Sequence, residues 1–313
     1  MKHTSGPAAS AARKASLQPG GLVGTKSGTT SGTTSGTESR QRGREFTFGQ
    51  TDFEALRLLV KRETGINLNE SKRELVYGRI SRRLRALGLS SFRDYRRLLE
   101  QGGADEMVQF CNAITTNLTS FFRESHHFEF LANHLQALDR SGKRRLRIWS
   151  AGCSTGEEPY SIAMTVLSAL PNHARWDIRI LATDLDSDVI DRAACGRYGA
   201  DRIHGIGPGR RGQYFRPVQG PEGAAYEVTP EVRSMVVFKQ LNLMHQLPMK
   251  GPLDVIFCRN VVIYFDRETQ RELFSRMARL QRPGDLLLLG HSESLFTVSE
   301  DYALLGKTVY RRN

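Results

Sequence analysis

Four cysteines, at positions 111, 153, 195 and 258, are all that 313 residues contain, and none forms a C-x-x-C pair. Such scattered thiols support neither a disulfide framework nor a structural zinc site, and they suit a reducing compartment. No apolar run approaches the length of a bilayer span, and no hydrophobic stretch opens the chain as a secretory signal would. The expected location is therefore cytoplasmic, with membrane contact only through a partner. Acid is also scarce: 33 Asp and Glu stand against 45 Lys and Arg, a formal charge of +12, which predicts an acidic partner.

Residues 1–44 repeat Ser-Gly-Thr-Thr between Ser27 and Thr37 and hold few large apolar side chains. They cannot offset the entropy of ordering, so a disordered low-complexity tail is expected. Residues 45–120 predict a helical domain. Phe53, Leu56, Leu59 and Val60 mark a helix that ends near Gly65. Val76, Ile80, Leu84 and Leu87 mark a second from about Glu70 to Leu87, and shorter helices follow over Ser91–Leu99 and Ala104–Thr116.

Nine Lys or Arg fall between Ser71 and Arg97, against Glu74 and Asp94. Arg79, Arg82 and Arg83 share one flank of the second helix. A solvated helix face is the ordinary reading of such a run, but the shortage of carboxylates favours docking of an acidic partner. After Thr115–Glu124, residues 121–140 predict a linker helix over Phe122–Leu138, capped by Thr119 or Ser120. The segment before it serves either as a plain connection or as a cover over a ligand. Adjacent His126 and His127 should point apart on a helix, so no shared metal is expected.

Residues 141–313 alternate strand and helix. Arg147–Ala151 is apolar between basic residues, breaks at Gly152 and Gly156, and resumes with helical spacing from Pro159. Strand, glycine turn, helix opens a nucleotide-binding βαβ unit, although the spacing is not the dinucleotide G-x-G-x-x-G. A second strand over 177–183 ends in Asp184, either an N-cap or an acceptor for ribose hydroxyls. Asp186 or Ser187 can cap instead, which frees Asp184 for a ligand. Residues 196–234 read as an inserted lobe with a small antiparallel sheet. Strands follow over 235–241, 253–258 and 285–290, a helix over 267–280, and one final strand over 303–311, expected as a closing antiparallel hairpin partner. The expected fold is a doubly wound α/β sheet with helices on both faces. Asn242 with Leu243, and Cys258-Arg259-Asn260, occupy loops at strand carboxyl ends, where ligands bind in open sheets. Tyr264 reads equally as core or as part of the site.

Several stretches together resemble the CheR-type chemotaxis receptor methyltransferases. These are Lys72–Tyr77, Arg82–Leu89, Thr115–Glu124 with His127-Phe128, Trp149–Ser161, Phe257–Phe265 and Gly290–Glu293. The resemblance runs from about Thr51 to the C-terminus, and Ile203–Tyr214 departs from the family's leucine-richer pattern. It implies a methyltransferase fold that takes S-adenosylmethionine, releases S-adenosylhomocysteine and needs no metal. It further implies cofactor contacts at Asn117, Thr119, Arg123, Glu157, Asp184, Asn242, Leu243 and the Cys258–Asn260 loop. Arg123 and Tyr264 would lie nearest the transferred methyl. The helix bearing Arg79 and Arg82 would face the cytoplasmic domain of a receptor, the chain acting as a monomer.

A glutamate carboxylate is ionised at neutral pH, so its methylation needs alignment rather than a base. The same composition would serve a nucleic-acid methyltransferase, but Cys258-Arg259-Asn260-Val261 matches neither the Asn/Asp-Pro-Pro-aromatic nor the Pro-Cys pattern of base methylases. No specific nucleic acid is therefore expected. A non-catalytic cofactor-sensing module and a nicotinamide dehydrogenase are the remaining alternatives.

Overall fold

A computed structural model describes residues 43–220 and 223–313. The predicted tail lies outside them apart from its last two residues.

Among the described residues four helices come first: α1 (Gln50–Thr64), α2 (Arg73–Leu87), α3 (Phe92–Glu100) and α4 (Ala104–Ile114). Each buries an apolar stripe in one core that includes Phe53, Leu56, Val76, Ile80, Leu84, Phe92, Tyr95 and Phe110. Leu87, expected on that stripe, is exposed, because α2 ends there and Gly88 takes the left-handed cap. The cap of α3 is Ser91, whose hydroxyl accepts from the Asp94 amide.

The linker helix starts later than its sequence suggests. It is α5 (His126–Arg140), not Phe122–Leu138. Phe122 and Glu124 both have positive φ, 53° and 58°, which no helix accommodates, so residues 121–125 form turns instead. The Phe122 amide donates to Ser161 Oγ, which holds that turn on the α/β domain.

The α/β domain contains β1 (Arg145–Ala151), α6 (Glu157–Ala169), β2 (Asp177–Asp184) and α7 (Ser187–Cys195). The inserted lobe follows: β3 (Arg197–Gly199), α8 (Ala200–Ile203), α9 (Pro208–Tyr214), β4 (Phe215–Gly220), β5 (Gly223–Val228) and α10 (Pro230–Ser234). Its three strands pair antiparallel in the order β3-β5-β4. The main fold resumes with β6 (Val236–Gln240), β7 (Val255–Cys258), α11 (Arg267–Ala278), β8 (Leu286–Leu289), β9 (Tyr302–Gly306) and β10 (Val309–Arg312). Where one final strand was predicted, the chain forms the β9–β10 hairpin, turning at Lys307 and Thr308, both at positive φ.

The main sheet has seven strands in the order β6-β2-β1-β7-β8-β10-β9. Pairings among the first five are parallel, and those of β10 with β8 and β9 are antiparallel. Alternate residues feed opposite faces: Ile148, Val255, Phe257, Leu286 and Leu288 on one, Trp149, Ile256, Leu287 and Leu289 on the other. Such strands are apolar on both sides, which is why they read as short continuous runs. The chain leaves β1 for β2 on one side and later returns to β7 on the other. Between β1 and β7 lies the switch point where open α/β sheets bind ligands.

Candidate functional site

A cavity of about 440 Å³ lies at the carboxyl end of the sheet, with one wall from the helical bundle. Asn117, Arg123, Asp184, Asn242, Asn260 and Tyr264 are among its lining residues. Its floor begins with the turn after β1. Gly152 has φ +96°, and a Cβ there would stand 2.3 Å from Val261 Cγ2. Only glycine lets that turn pass beneath the β7 loop. The next turn is tied to the end of β2, where the Ser154 amide donates to Asp184 Oδ2 at 2.8 Å. Asp184 Oδ1 accepts from the Asp186 amide at 3.1 Å. Withdrawal from water pushes the Asp184 carboxyl up to about 6, despite these hydrogen bonds. Asp186 is the α7 cap, as its sequence position suggests, accepting from the Asp188 and Val189 amides.

Asp186 also fastens the cover. Its Oδ2 accepts from the Thr115 hydroxyl at 2.8 Å and from Asn117 Nδ2 at 2.7 Å. The Asn117 carbonyl accepts from Ser154 Oγ at 3.1 Å. The segment between bundle and sheet therefore folds over the cavity. Further along, Arg123 lines the cavity and donates to the Leu118 carbonyl at 2.9 Å. Thr119 lines it as well.

Arg259 is buried and binds three groups. It pairs with Glu158 at 2.8 Å and Glu124 at 3.3 Å, and donates to the Arg123 carbonyl at 2.5 Å. Glu158 is held in turn by the Ser150 hydroxyl at 2.8 Å. One guanidinium thus joins the β7 loop, the start of α6 and the Arg123 turn. His127, fully buried behind this group, is pushed down to about 4 by burial first and by the Arg259 charge second.

The loop after β7 is shaped from below. The buried Glu293 carboxylate accepts from the amides of Gly290, Asn260, Val261, Val262 and Ile263 at 2.7 to 3.3 Å. Those amides converge because Asn260 takes φ +60°. The loop ends in a 3-10 turn, Val262–Tyr264, and the Tyr264 carbonyl accepts from the Asn67 amide of the bundle at 2.8 Å. Asn242 bridges in a similar way, donating to the Glu63 carbonyl at 2.6 Å while Oδ1 takes the Met244 amide.

Of the residues named from sequence, Asn117, Thr119, Arg123, Asp184, Asn242, Leu243, Arg259, Asn260 and Tyr264 line the cavity. Glu157 does not. Its carboxylate is fully buried, pairs with Arg202 of the inserted lobe and accepts from the Thr155 hydroxyl, while the adjacent Glu158 faces the cavity. Cys258 is completely buried at the end of β7 and lies outside the lining.

Two of the three basic residues assigned to docking are engaged within the bundle. Arg79 donates to the Ala113, Ile114 and Thr115 carbonyls at 2.6 to 3.2 Å, capping the C-terminus of α4. Arg83 grips Glu106 through Nε and Nη2, and Tyr95 donates to the same carboxylate. Arg82 remains exposed. Sequence reading assigned no role to Glu158 or to Glu293, which stood in a matched stretch without one. Their partners lie 101 and about thirty residues away, beyond any local signal. His126 and His127 do not point apart either: their ring centroids are 4.1 Å apart. His126 is the first residue of α5, with no preceding helical turn to restrict its rotamer.

A parallel sheet closed by an antiparallel hairpin, an acid ending β2 and a cavity over the switch point are the arrangement of S-adenosylmethionine-dependent methyltransferases. The CheR methyltransferase SAM-binding domain matches residues 117–311 and the CheR all-alpha domain residues 51–115, and the chain belongs to this family. It is 44% identical over 267 residues to chemotaxis protein methyltransferase 2 of Pseudomonas aeruginosa, covering 85% of this chain and 94% of that one. Identity to the chemotaxis protein methyltransferase of Escherichia coli is 43%, over 82% of this chain and 89% of the relative. A probable chemotaxis protein methyltransferase of Rhizobium etli is 44% identical, over 81% and 96%. The chain is accordingly an S-adenosylmethionine-dependent methyltransferase. No helix among the described residues is long and apolar enough to cross a membrane.

Proposed function

We propose that this chain methylates glutamate side chains in the cytoplasmic domains of methyl-accepting chemotaxis receptors, yielding glutamate methyl esters and S-adenosylhomocysteine. The observation that carries this reading is the switch-point cavity, walled on one side by a basic helical bundle and lined by both Arg123 and Tyr264. The names of the relatives supply the chemotaxis setting. The cavity suits the cofactor in size and chemistry. It has carboxylate and amide acceptors at Asp184 and Asn260, and apolar walls at Leu185, Leu241 and Leu243.

When bound, the cofactor supplies an electrophilic methyl on a sulfonium. Asp184 accepts from the ribose hydroxyls, and Asn117 and Thr119 close over the cofactor from the linker. Asn242, Leu243, Arg259 and Asn260 shape the remaining wall, Arg259 by holding others in place. Glu157 and Cys258 support that wall from behind and touch no ligand.

The receptor carboxylate arrives ionised, since an ordinary glutamate titrates near 4.3, so no residue has to remove a proton. Arg123 holds one carboxylate oxygen and leaves the other to react; Tyr264 sets the angle of approach. Fixing reactants in line contributes several kcal/mol to lowering the barrier, on the order of 7 or more in the best cases. Leu118 and Ile263 line the cavity and yet are 77% and 47% exposed, an apolar rim suited to a receptor helix.

Incubation with methyl-labelled S-adenosylmethionine and receptor cytoplasmic fragments should put base-labile label on the receptor. Label that is base-stable, or that enters nucleic acid instead, would refute this function.

A further inference from the structure

Outside the cavity, the start of α5 gathers donors that methyl transfer does not use. Glu124, His126 and His127 each present one ligand atom, all within 4.8 Å of one another. The two nitrogens of the buried His127 ring have different surroundings. Nε2 lies 3.1 Å from the Lys307 carbonyl oxygen and 3.2 Å from Thr308 Oγ1. The Thr308 hydroxyl has the Leu289 and Lys307 carbonyls as acceptors, at 2.8 and 2.7 Å. Facing a carbonyl, which can only accept, Nε2 must carry the ring proton.

In the neutral ring Nδ1 is then a bare lone pair. It is buried without a hydrogen-bond partner among the described residues, and Glu124 Oε2 is 3.6 Å away. A lone pair and a carboxylate facing each other away from water repel unless a cation lies between them. That separation is too long for a hydrogen bond. It suits two donors each about 2.0–2.1 Å from one tetrahedral ion. His126 is half-buried and brings a third donor from the solvent side. His291 Nδ1 at 3.0 Å and the Arg259 guanidinium at 3.3 Å hold the Glu124 carboxylate from its other sides, as outer partners orient ligating carboxylates.

We propose that Glu124, His126 and His127 form a site for a divalent transition metal of the zinc type, with water as the fourth ligand. Two imidazoles and one carboxylate favour such an ion over magnesium or calcium, which prefer all-oxygen sets. None of the three residues lines the cavity, so the ion serves the fold and not the reaction. It fastens the turn that carries Arg123 to the first turn of α5 and, through His127, to the β9–β10 hairpin.

The test strips the full-length protein with a chelator, then titrates Zn²⁺ by calorimetry and Co²⁺ by visible absorption, beside His126→Ala and Glu124→Gln. Wild type is expected to bind one equivalent of Zn²⁺ and to show the absorption bands of four-coordinate Co²⁺. Each variant should bind roughly tenfold or more weakly. Circular dichroism should match wild type in both, and His126→Ala should retain S-adenosylhomocysteine affinity. Absence of stoichiometric zinc binding by wild type overturns the proposal. So does undiminished binding by both variants, since donors elsewhere, His3 included, would then hold the ion.

Discussion

Asp184 is an acid whose position in the chain and whose surroundings make opposite demands. Its place at the end of β2 suits donors from a ribose, which need an ionised acceptor. Burial favours the protonated form and raises it to about 6. The sign follows: in the cofactor-free chain, the stability Asp184 contributes is present at acid pH and lost as pH rises through about 6. Cofactor binding should pull the other way. S-Adenosylhomocysteine affinity is expected to fall as pH drops through about 6, by roughly tenfold one unit below it. Asp184→Ala should bind weakly at every pH and lack that dependence. Calorimetry across pH 5 to 8, as a round range, checks both, and a flat wild-type profile would exclude Asp184 from ribose binding.

Gly152 gives a second residue-scale test. Gly152→Ala brings both a left-handed strain, roughly 1–3 kcal/mol, and a clash with Val261. Adding Val261→Ala should relieve the clash and leave the strain, so denaturation should show partial recovery. Gly152 and Asp184 were legible by position, as the turn after β1 and the end of β2, although Val261 and the Ser154 amide, which constrain them, lie far along the chain. Glu157 and Glu158 were not distinguishable, since what separates them is Arg202 in one direction and Arg259 in the other.

Among the elements, periodicity located the longer helices and the strands of the main sheet; it missed β3 and the short helices α8, α9 and α10 of the inserted lobe, and misplaced two joints. The start of α5 moved from Phe122 to His126 because the Arg259–Glu124 pair holds a turn there that local propensity cannot foresee. The final strand became a hairpin because Lys307 and Thr308 turn at positive φ without the glycine that marks such turns at each central position. The β7 loop belongs to the same class, its course fixed by a carboxylate about thirty residues ahead. Glu293→Gln keeps the shape but turns an acceptor into a donor facing backbone amides. Destabilisation of about 1–3 kcal/mol is expected, together with weaker S-adenosylhomocysteine binding, because Asn260 and Val261 line the cavity. Unchanged stability and affinity would show that the loop holds its course without this carboxylate. Arg79 is comparable. Its loss should expose the α4 carbonyls and cost about 1–3 kcal/mol, read as a lower denaturation midpoint with an unchanged slope.

At the scale of the whole molecule, the excess of positive charge survives a division of labour among the arginines. Arg79 and Arg83 stabilise the bundle, so a double substitution of Arg79 and Arg82 would confuse folding with docking. Arg82, exposed on the same helix, is the cleaner probe. Its charge adds to the field of a +12 chain, which acts over about 10 Å at 0.1 M salt and mainly speeds encounter with an acidic partner. Arg82→Glu should therefore raise the receptor KM several-fold and flatten its rise with salt. It should leave the denaturation midpoint and S-adenosylhomocysteine affinity near wild type. Steady-state kinetics on a receptor fragment at low and high ionic strength decides the matter. An Arg82→Glu enzyme with an unaltered KM and salt dependence would move receptor docking off this helix, leaving the apolar rim of Leu118 and Ile263 as the next surface to alter.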